Sequence, residues 1–332
     1  MSADHIYNMT IKMFGPRAEP AFETAGEMQA NWGREWGCDN DVGQLRAVLM
    51  HRPGAEFDVI DRTKRIESIG SFGDPEEGWY LQSDTIPDLA DMQANHDALA
   101  RTLRDEGVEV YMVEGVTGNR FKSCYTRDSS FAIKGGAIVC RLAAKMRRGE
   151  ELAITRTLAG LGMPILRTVH GTGLMEGGSF AWINSKNAVI GRSIRVNDEG
   201  IAQVCEVLSR QGVELTVADL GGYSIHIDGA FLMVDVDLAL IDAGSLPYSF
   251  IEKLRALKVR TIEITPEDNG WIVNSLAVRP GRIVMPEGAS ERTRDELARN
   301  GVEMIELPYE HMHPNGGGIH CSTCPLIRDS VD

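Results

Sequence analysis

Residues 315–325 read NGGGIHCSTCP: three glycines, a histidine and two cysteines in C-x-x-C spacing. Three chemistries fit such a run. The thiols and nearby imidazoles of His311, His313, His320, Cys321 and Cys324 could clamp a metal ion. Cys321 and Cys324 could form a redox pair. Or one thiolate could act as a nucleophile, assisted by N–H groups of the glycine loop. The first two lack their usual companions. A structural zinc site takes a second paired motif, and the chain has no other C-x-x-C. The H-x-E element of zinc deaminases is absent upstream. A thioredoxin-like pair opens a helix after a strand, whereas TCPLIRDSVD leaves only a short tail. Cys321 is the expected nucleophile, and Cys324 a structural or tuning neighbour. His320 reads equally as substrate-facing or packed.

Four more loops carry complementary chemistry. CYTRDSS holds Arg127 and Asp128, and MEGGS holds Glu176. HIDG holds His226 and Asp228, and DNGWIVNS holds Asp268 and Asn274. Carboxylates converging on one pocket suit a cationic ligand with many donors. Guanidinium is planar, and its N–H donors match carboxylates bidentately. A thiolate would attack its central carbon. His226 would protonate the leaving amine and then activate the next nucleophile. Singly, each motif has an ordinary reading: Asp128 as a surface partner of arginine, Glu-Gly-Gly as a turn, and His-x-Asp as two side chains on one strand face. Their common position in a repeat favours the chemical reading.

That repeat is a short phrase: EGVEVYMV (106–113), LGMPILRTV (161–169), QGVELTVA (211–218), LKVRTIEI (257–264) and NGVEMIEL (300–307). Each reads as a strand. Each follows a helical pattern, as in 88–106, where Leu89, Met92, His96, Leu99 and Leu103 share a face. Glycine near the helix exit is the expected left-handed stop. A polar loop and usually a hairpin follow, with turns at Gly135-Gly136, Asn184–Asn187, Asp235–Asp237 and Pro280-Gly281. The stretch 44–52 supplies a first hairpin-like element. Such ββαβ units cannot each bury a core, so they must pack around a common axis. The expected fold is one closed, pseudo-symmetric α/β domain over 1–332, with 1–40 as an N-terminal extension. A doubly wound sheet is the alternative, against which the hairpins argue.

The composition agrees with a globular enzyme: 332 residues, 43% hydrophobic and 25% charged, with a net charge of −14. That charge disfavours nucleic acid and anionic membranes as partners. The basic runs RTKR (62–65) and KMRR (145–148) read as solvated faces. No secretory signal or membrane span is read, so the expected setting is cytoplasmic. The six cysteines are irregularly spaced and do not form a disulfide framework. Cys140 and Cys205, in apolar surroundings, read as core residues. A homo-oligomer, commonly a dimer, is the usual state of such an enzyme.

With these residues assembled, the chain resembles the guanidine-modifying superfamily of arginine deiminases, dimethylarginine dimethylaminohydrolases and glycine amidinotransferases. LRAVLMHRPG, YTRD, MEGG, VIGRSIRVN, HIDG and GGGIHC occur in the superfamily's order. The resemblance implies a five-bladed α/β-propeller and a covalent Cys-thiouronium intermediate, with no metal or organic cofactor. It implies Cys321 as nucleophile, His226 as acid/base and Glu176 as its support. It also implies Asp128 and Asp228 as guanidinium-binding carboxylates, and Arg195 as partner of the substrate's carboxylate. Ser179 departs from the E-G-G-D of hydrolytic relatives. GGGIHCSTCP looks more like the amidinotransferases, while EGG and HID look more like the hydrolases. A hydrolase is the expectation, an amidinotransferase the alternative, and an inactive propeller serving as a binding module the third reading.

Overall fold

The computed structural model describes residues 1–13, 19–76, 79–116, 118 and 120–331. The chain opens with α1 (Ala3–Thr10) and α2 (Ala25–Trp32). Strand β1 (Leu45–Met50) precedes a small antiparallel meander of β2 (Arg65–Ile66), β3 (Ser71–Asp74) and β4 (Trp79–Tyr80). Then the repeat begins. The first unit is α3 (Leu89–Asp105), β5 (Glu109–Met112), β6 (Ser130–Ile133) and β7 (Gly136–Val139). The second is α4 (Glu150–Leu161), β8 (Ile165–Thr168), β9 (Phe180–Asn184) and β10 (Asn187–Arg192). The third is α5 (Asp198–Arg210), β11 (Glu214–Asp219), β12 (Phe231–Asp235) and β13 (Leu238–Ile241). The fourth is α6 (Tyr248–Ala256), β14 (Arg260–Glu263), β15 (Leu276–Arg279) and β16 (Arg282–Pro286). The last is α7 (Glu291–Arg299), β17 (Glu303–Leu307) and β18 (Cys324–Arg328).

Each hairpin pairs in parallel with the strand of the following unit. The sheets are therefore β6-β7-β8, β9-β10-β11, β12-β13-β14 and β15-β16-β17. The remaining sheet is β18-β1-β5, with β1 antiparallel to β18 and parallel to β5. Here the structure corrects the sequence reading. Residues 324–328 are a buried strand, not a tail, and they are the antiparallel partner of β1. The 44–52 segment thus makes its hairpin-like pair with the far end of the chain. Neighbouring sheets touch in series: β18 lies beside β6, β12 beside both β9 and β15, and β1 beside β15. Between β6 and β9, the Phe131 and Phe180 rings stack at 4.3 Å.

Apolar alternation and helical periodicity explain the burial. On α3, Met92, His96, Leu99 and Leu103 face inward, and Asp88 caps the first turn through the Ala90 and Asp91 N–H groups. The inner strands are apolar on both faces, as in Leu238–Ile241 and Gly136–Val139. Within the 1–40 segment, Trp36 and Cys38 are buried against β1 and β18 residues. Cys140 is in the core, but Cys205 is exposed on α5, so only one of the two expected core thiols is one. Among the described residues, no helix is long and apolar enough to cross a membrane.

Candidate active site

The site residues stand on equivalent short turns. Single 3-10 turns at Thr126–Asp128, Gly177–Ser179 and Ile227–Gly229 run directly into β6, β9 and β12. Glu176 and His226 occupy the same position, immediately before their turns. His226 and Asp228 therefore lie in a turn rather than along one strand face. The turns pack against one another, first on second and second on third. The close approach depends on glycine. A methyl group at Gly178 would sit 2.7 Å from His226 Nδ1 and 2.8 Å from Asp128 Oδ1. In the loop before Cys321, one at Gly317 would enter the Tyr125 ring, and one at Gly318 would reach Asn274 Oδ1 at 2.6 Å. These glycines serve close packing rather than flexibility.

Cys321 is 6% exposed and lines a cavity of about 170 Å³ with His226, Asp228, Trp271, Asn274 and Gly316. A larger cavity, about 510 Å³, lies by α2 and Trp36 and contains none of the expected site residues. Asn274 Nδ2 donates to Cys321 Sγ at 3.2 Å, while Asn274 Oδ1 accepts from the Cys321 N–H at 3.2 Å. The thiol lies 3.5 Å from Asp228 Oδ2. That oxygen also accepts from His320 Nδ1 at 2.8 Å. Burial, followed by the Asp228 and Asp128 charges, pushes the Cys321 thiol well above its ordinary range. The Gly318 N–H and Asn274 oppose the rise. Without a ligand, the thiol is thus protonated. Burial works against the Asp228 charge as well. The His320 hydrogen bond and the His226 and Arg127 charges outweigh it and hold the carboxyl below its usual range. His320, lowered by burial and by Arg127, is neutral and gives its Nδ1 proton to Asp228.

Across the cavity, His226 Nε2 pairs with Glu176 Oε2 at 2.7 Å, and its Nδ1 lies 3.5 Å from Asp128 Oδ1. Burial works against the imidazolium, but Asp128, Glu176 and Asp228 together lift its pKa to about 9. Glu176 is lowered: burial opposes its charge, and His226, Arg195 and Arg147 overcome that. Arg195 reaches Glu176 with Nη1 at 3.2 Å and does not line the cavity. Ser179 is buried, and its hydroxyl donates to the Ile225 carbonyl at 3.4 Å.

Sequence reading missed Arg147. KMRR is not wholly a solvated face: Arg147 is buried, 2.6 Å from Asp128 and 2.8 Å from Glu150. The available signal was Glu150 three residues further on, one helical turn away. Asn274 was visible as a loop residue, but its double bond to Cys321 was not. Asp268 caps α7 through the Ser290 N–H and Thr293, away from the cavity. Cys324 donates to the Ser130 carbonyl at 3.2 Å in the core, and His313 stacks on Trp271. The His/Cys cluster proposed as a metal rival is therefore dispersed. Among the described residues, Asp128, Glu176 and His226 bring ligand atoms within 4.8 Å of one another. A cation there would compete with Arg147 and Arg195, which already hold the two carboxylates.

Residues 81–328, about three quarters of the chain, match the family described as N,N dimethylarginine dimethylhydrolase, eukaryotic. The chain belongs to this family. It is thereby a member of the guanidine-modifying superfamily. The chain is 28% identical over 236 residues to the Pseudomonas aeruginosa N(G),N(G)-dimethylarginine dimethylaminohydrolase, covering 71% of this chain and 88% of that one. It is 22% identical to a Latilactobacillus sakei arginine deiminase, covering 88% and 98%. A Pseudomonas aeruginosa dimethylaminohydrolase complexed with citrulline superposes with a TM-score of 0.69 at 22% identity, covering 86% of this chain and all of that one. An amidinotransferase from the saxitoxin pathway of Microseira wollei gives 0.71 at 16%, covering 90% and 98%. These superpositions establish the α/β fold that dimethylhydrolase family members share with amidinotransferases.

Proposed function

We propose that this chain is a hydrolase of a guanidino substrate, such as arginine or a methylated arginine, acting through a covalent intermediate on Cys321. The observation that carries the reading is a buried thiol held between Asn274 and Asp228, facing a His226–Glu176 pair across one small cavity. A bound guanidinium, paired to Asp228 and Asp128, would offset the negative charges that keep the thiol protonated. The thiol proton leaves to solvent, and sulfur attacks the guanidinium carbon. The C–N bond to the leaving amine breaks as protonated His226 supplies the amine's proton. The product of this step is an S-alkylthiouronium. Water then adds to the same carbon, His226 takes its proton, and the C–S bond breaks to release a ureido product and restore the sulfur. Glu176 holds the imidazole and stabilises its charge, and Arg195, expected from the resemblance to meet the substrate's carboxylate, instead fixes Glu176 outside the cavity lining.

The fold reading completes this proposal. The serial contacts of five of the six three-stranded sheets, the β2-β3-β4 meander being the sixth, and the β1–β18 pairing support a closed five-bladed propeller, formed as one domain over 1–332. All six cysteines are free thiols, which suits a reducing, cytoplasmic setting. The amidinotransferase reading is favoured by the GGGIHCSTCP ending and shares every named residue. Product analysis separates the two. With L-arginine and methylated arginines, a hydrolase forms citrulline and an amine without an acceptor. A transferase forms ornithine only when an amine acceptor such as glycine is present. Cys321→Ser should abolish either reaction while the melting temperature is kept. Full activity in Cys321→Ser contradicts the mechanism, and a Cys321 that stays unreactive toward small alkylating agents even with a guanidinium compound present returns the chain to a binding role.

A further inference from the structure

The cavity has a charge layout that bears on the substrate's other end. Lys122 donates from Nζ to the Tyr80 carbonyl at 2.8 Å and to the Asn315 carbonyl at 2.8 Å. Its ammonium lies over the Tyr80 ring at 5.3 Å. It ties the β4 segment to the nucleophile loop right beside the cavity wall. A methyl group on Gly316 would stand 3.3 Å from Lys122 Nζ and 3.8 Å from Gln82 Nε2, and both Gly316 and Gln82 line the cavity. Glycine at 316 thus places no side chain between the cavity-lining backbone and the ammonium. An ammonium has three N–H donors, and carbonyls engage two of them. Burial and the charges of Arg147 and Arg195 pull the Lys122 pKa down to about 7, so a neighbouring anion would relieve like-charge repulsion.

Equally informative is what the wall offers a second cation. Among the described residues lining the cavity, Asp228 is the only carboxylate, and it stands at the Cys321 end. The two carbonyls that could accept from a substrate ammonium are already bonded to the protein's own ammonium. We infer that Lys122 is a specificity-determining residue, selecting a guanidino substrate whose far end carries a carboxylate and no ammonium. The substrate class is an ω-guanidino acid. This rests on the guanidino-hydrolase reading above and sharpens it.

The test compares three compounds of equal chain length: L-arginine, arginine without its α-amino group, and arginine without its carboxyl group. In the wild type, kcat/KM should be greatest for the compound lacking the amino group, by about tenfold or more over arginine, and least for the one lacking the carboxyl group. The size follows from a like-charge contact costing several kcal/mol. Lys122→Met should bring the three values within about threefold, and Lys122→Glu should favour the compound lacking the carboxyl group. Binding of the same compounds to Cys321→Ser, by calorimetry, gives the ranking independently of turnover. If wild type prefers arginine or the decarboxylated compound, this inference is overturned while the hydrolase reading stands. If none of the three is turned over or bound, this inference fails, and the hydrolase reading fails with it when methylated arginines are also neither bound nor turned over.

Discussion

Two buried carboxylates flank His226, one in the cavity wall and one behind it, and they are treated differently. Asp128 and Asp228 are each 3% exposed. Asp128 is met by the buried guanidinium of Arg147, which also bridges Glu150. Asp228 receives only a neutral imidazole and a thiol, and among the described residues no Lys or Arg bonds to it. An ionised group taken out of water needs a compensating charge. On the Asp128 side the fold supplies that charge itself. On the Asp228 side no such charge is bonded, and the proposed guanidinium would supply it beside Cys321.

Replacing each side should therefore have opposite consequences. Asp228→Asn should lower kcat/KM by about 30- to 5,000-fold, equivalent to about 2–5 kcal/mol, because the guanidinium loses its charge partner. Its unfolding free energy from urea titration should change by less than about 1 kcal/mol, since asparagine keeps an acceptor for His320. Arg147→Met should do the reverse in stability, costing about 3–5 kcal/mol by leaving two carboxylates buried and unpaired. If the two variants lose stability equally, the distinction between the clusters is wrong. A smaller effect is expected at Asn274. Asn274→Ala removes a donor to sulfur and should slow both turnover and alkylation of Cys321 by about ten- to a hundredfold, equivalent to 1.5–3 kcal/mol for a bond to a charged group.

A further effect is a dependence on pH. His226 is raised from an ordinary 6.5 to about 9 in the fold. Its contribution to stability is fully present below pH 6.5 and is lost as pH rises through about 9. Thermal denaturation between pH 6 and 10 should show this loss in the wild type, with a flatter slope in Glu176→Gln. An unchanged slope in that variant would separate the imidazole from its carboxylate.

The repeat was legible because its signals are local. A glycine stop, a short apolar strand and a two-residue turn each occupy a few residues; the observed β5, β8, β14 and β17 fall within the expected spans, and β11 runs one residue past its own. The β1–β18 pair was not legible, since its partners are separated by nearly the whole chain and neither segment encodes the other. Site residues on equivalent turns were found for the same local reason. Arg147 was missed because a basic run reads alike whether it meets water or a buried acid. Cys140 and Cys205 have similar apolar neighbours in sequence, yet only the first points into the core.

The most direct test of the covalent reading is a rapid acid quench of wild-type protein with excess guanidino substrate, followed by intact and peptide mass spectrometry. The account predicts a transient adduct on the peptide holding Cys321, equal in mass to the substrate minus its leaving amine, and absent in Cys321→Ser. An adduct of the bare amidino group would make the chain an amidinotransferase. Turnover with no adduct at any quench time, or an adduct on another residue, would contradict the account.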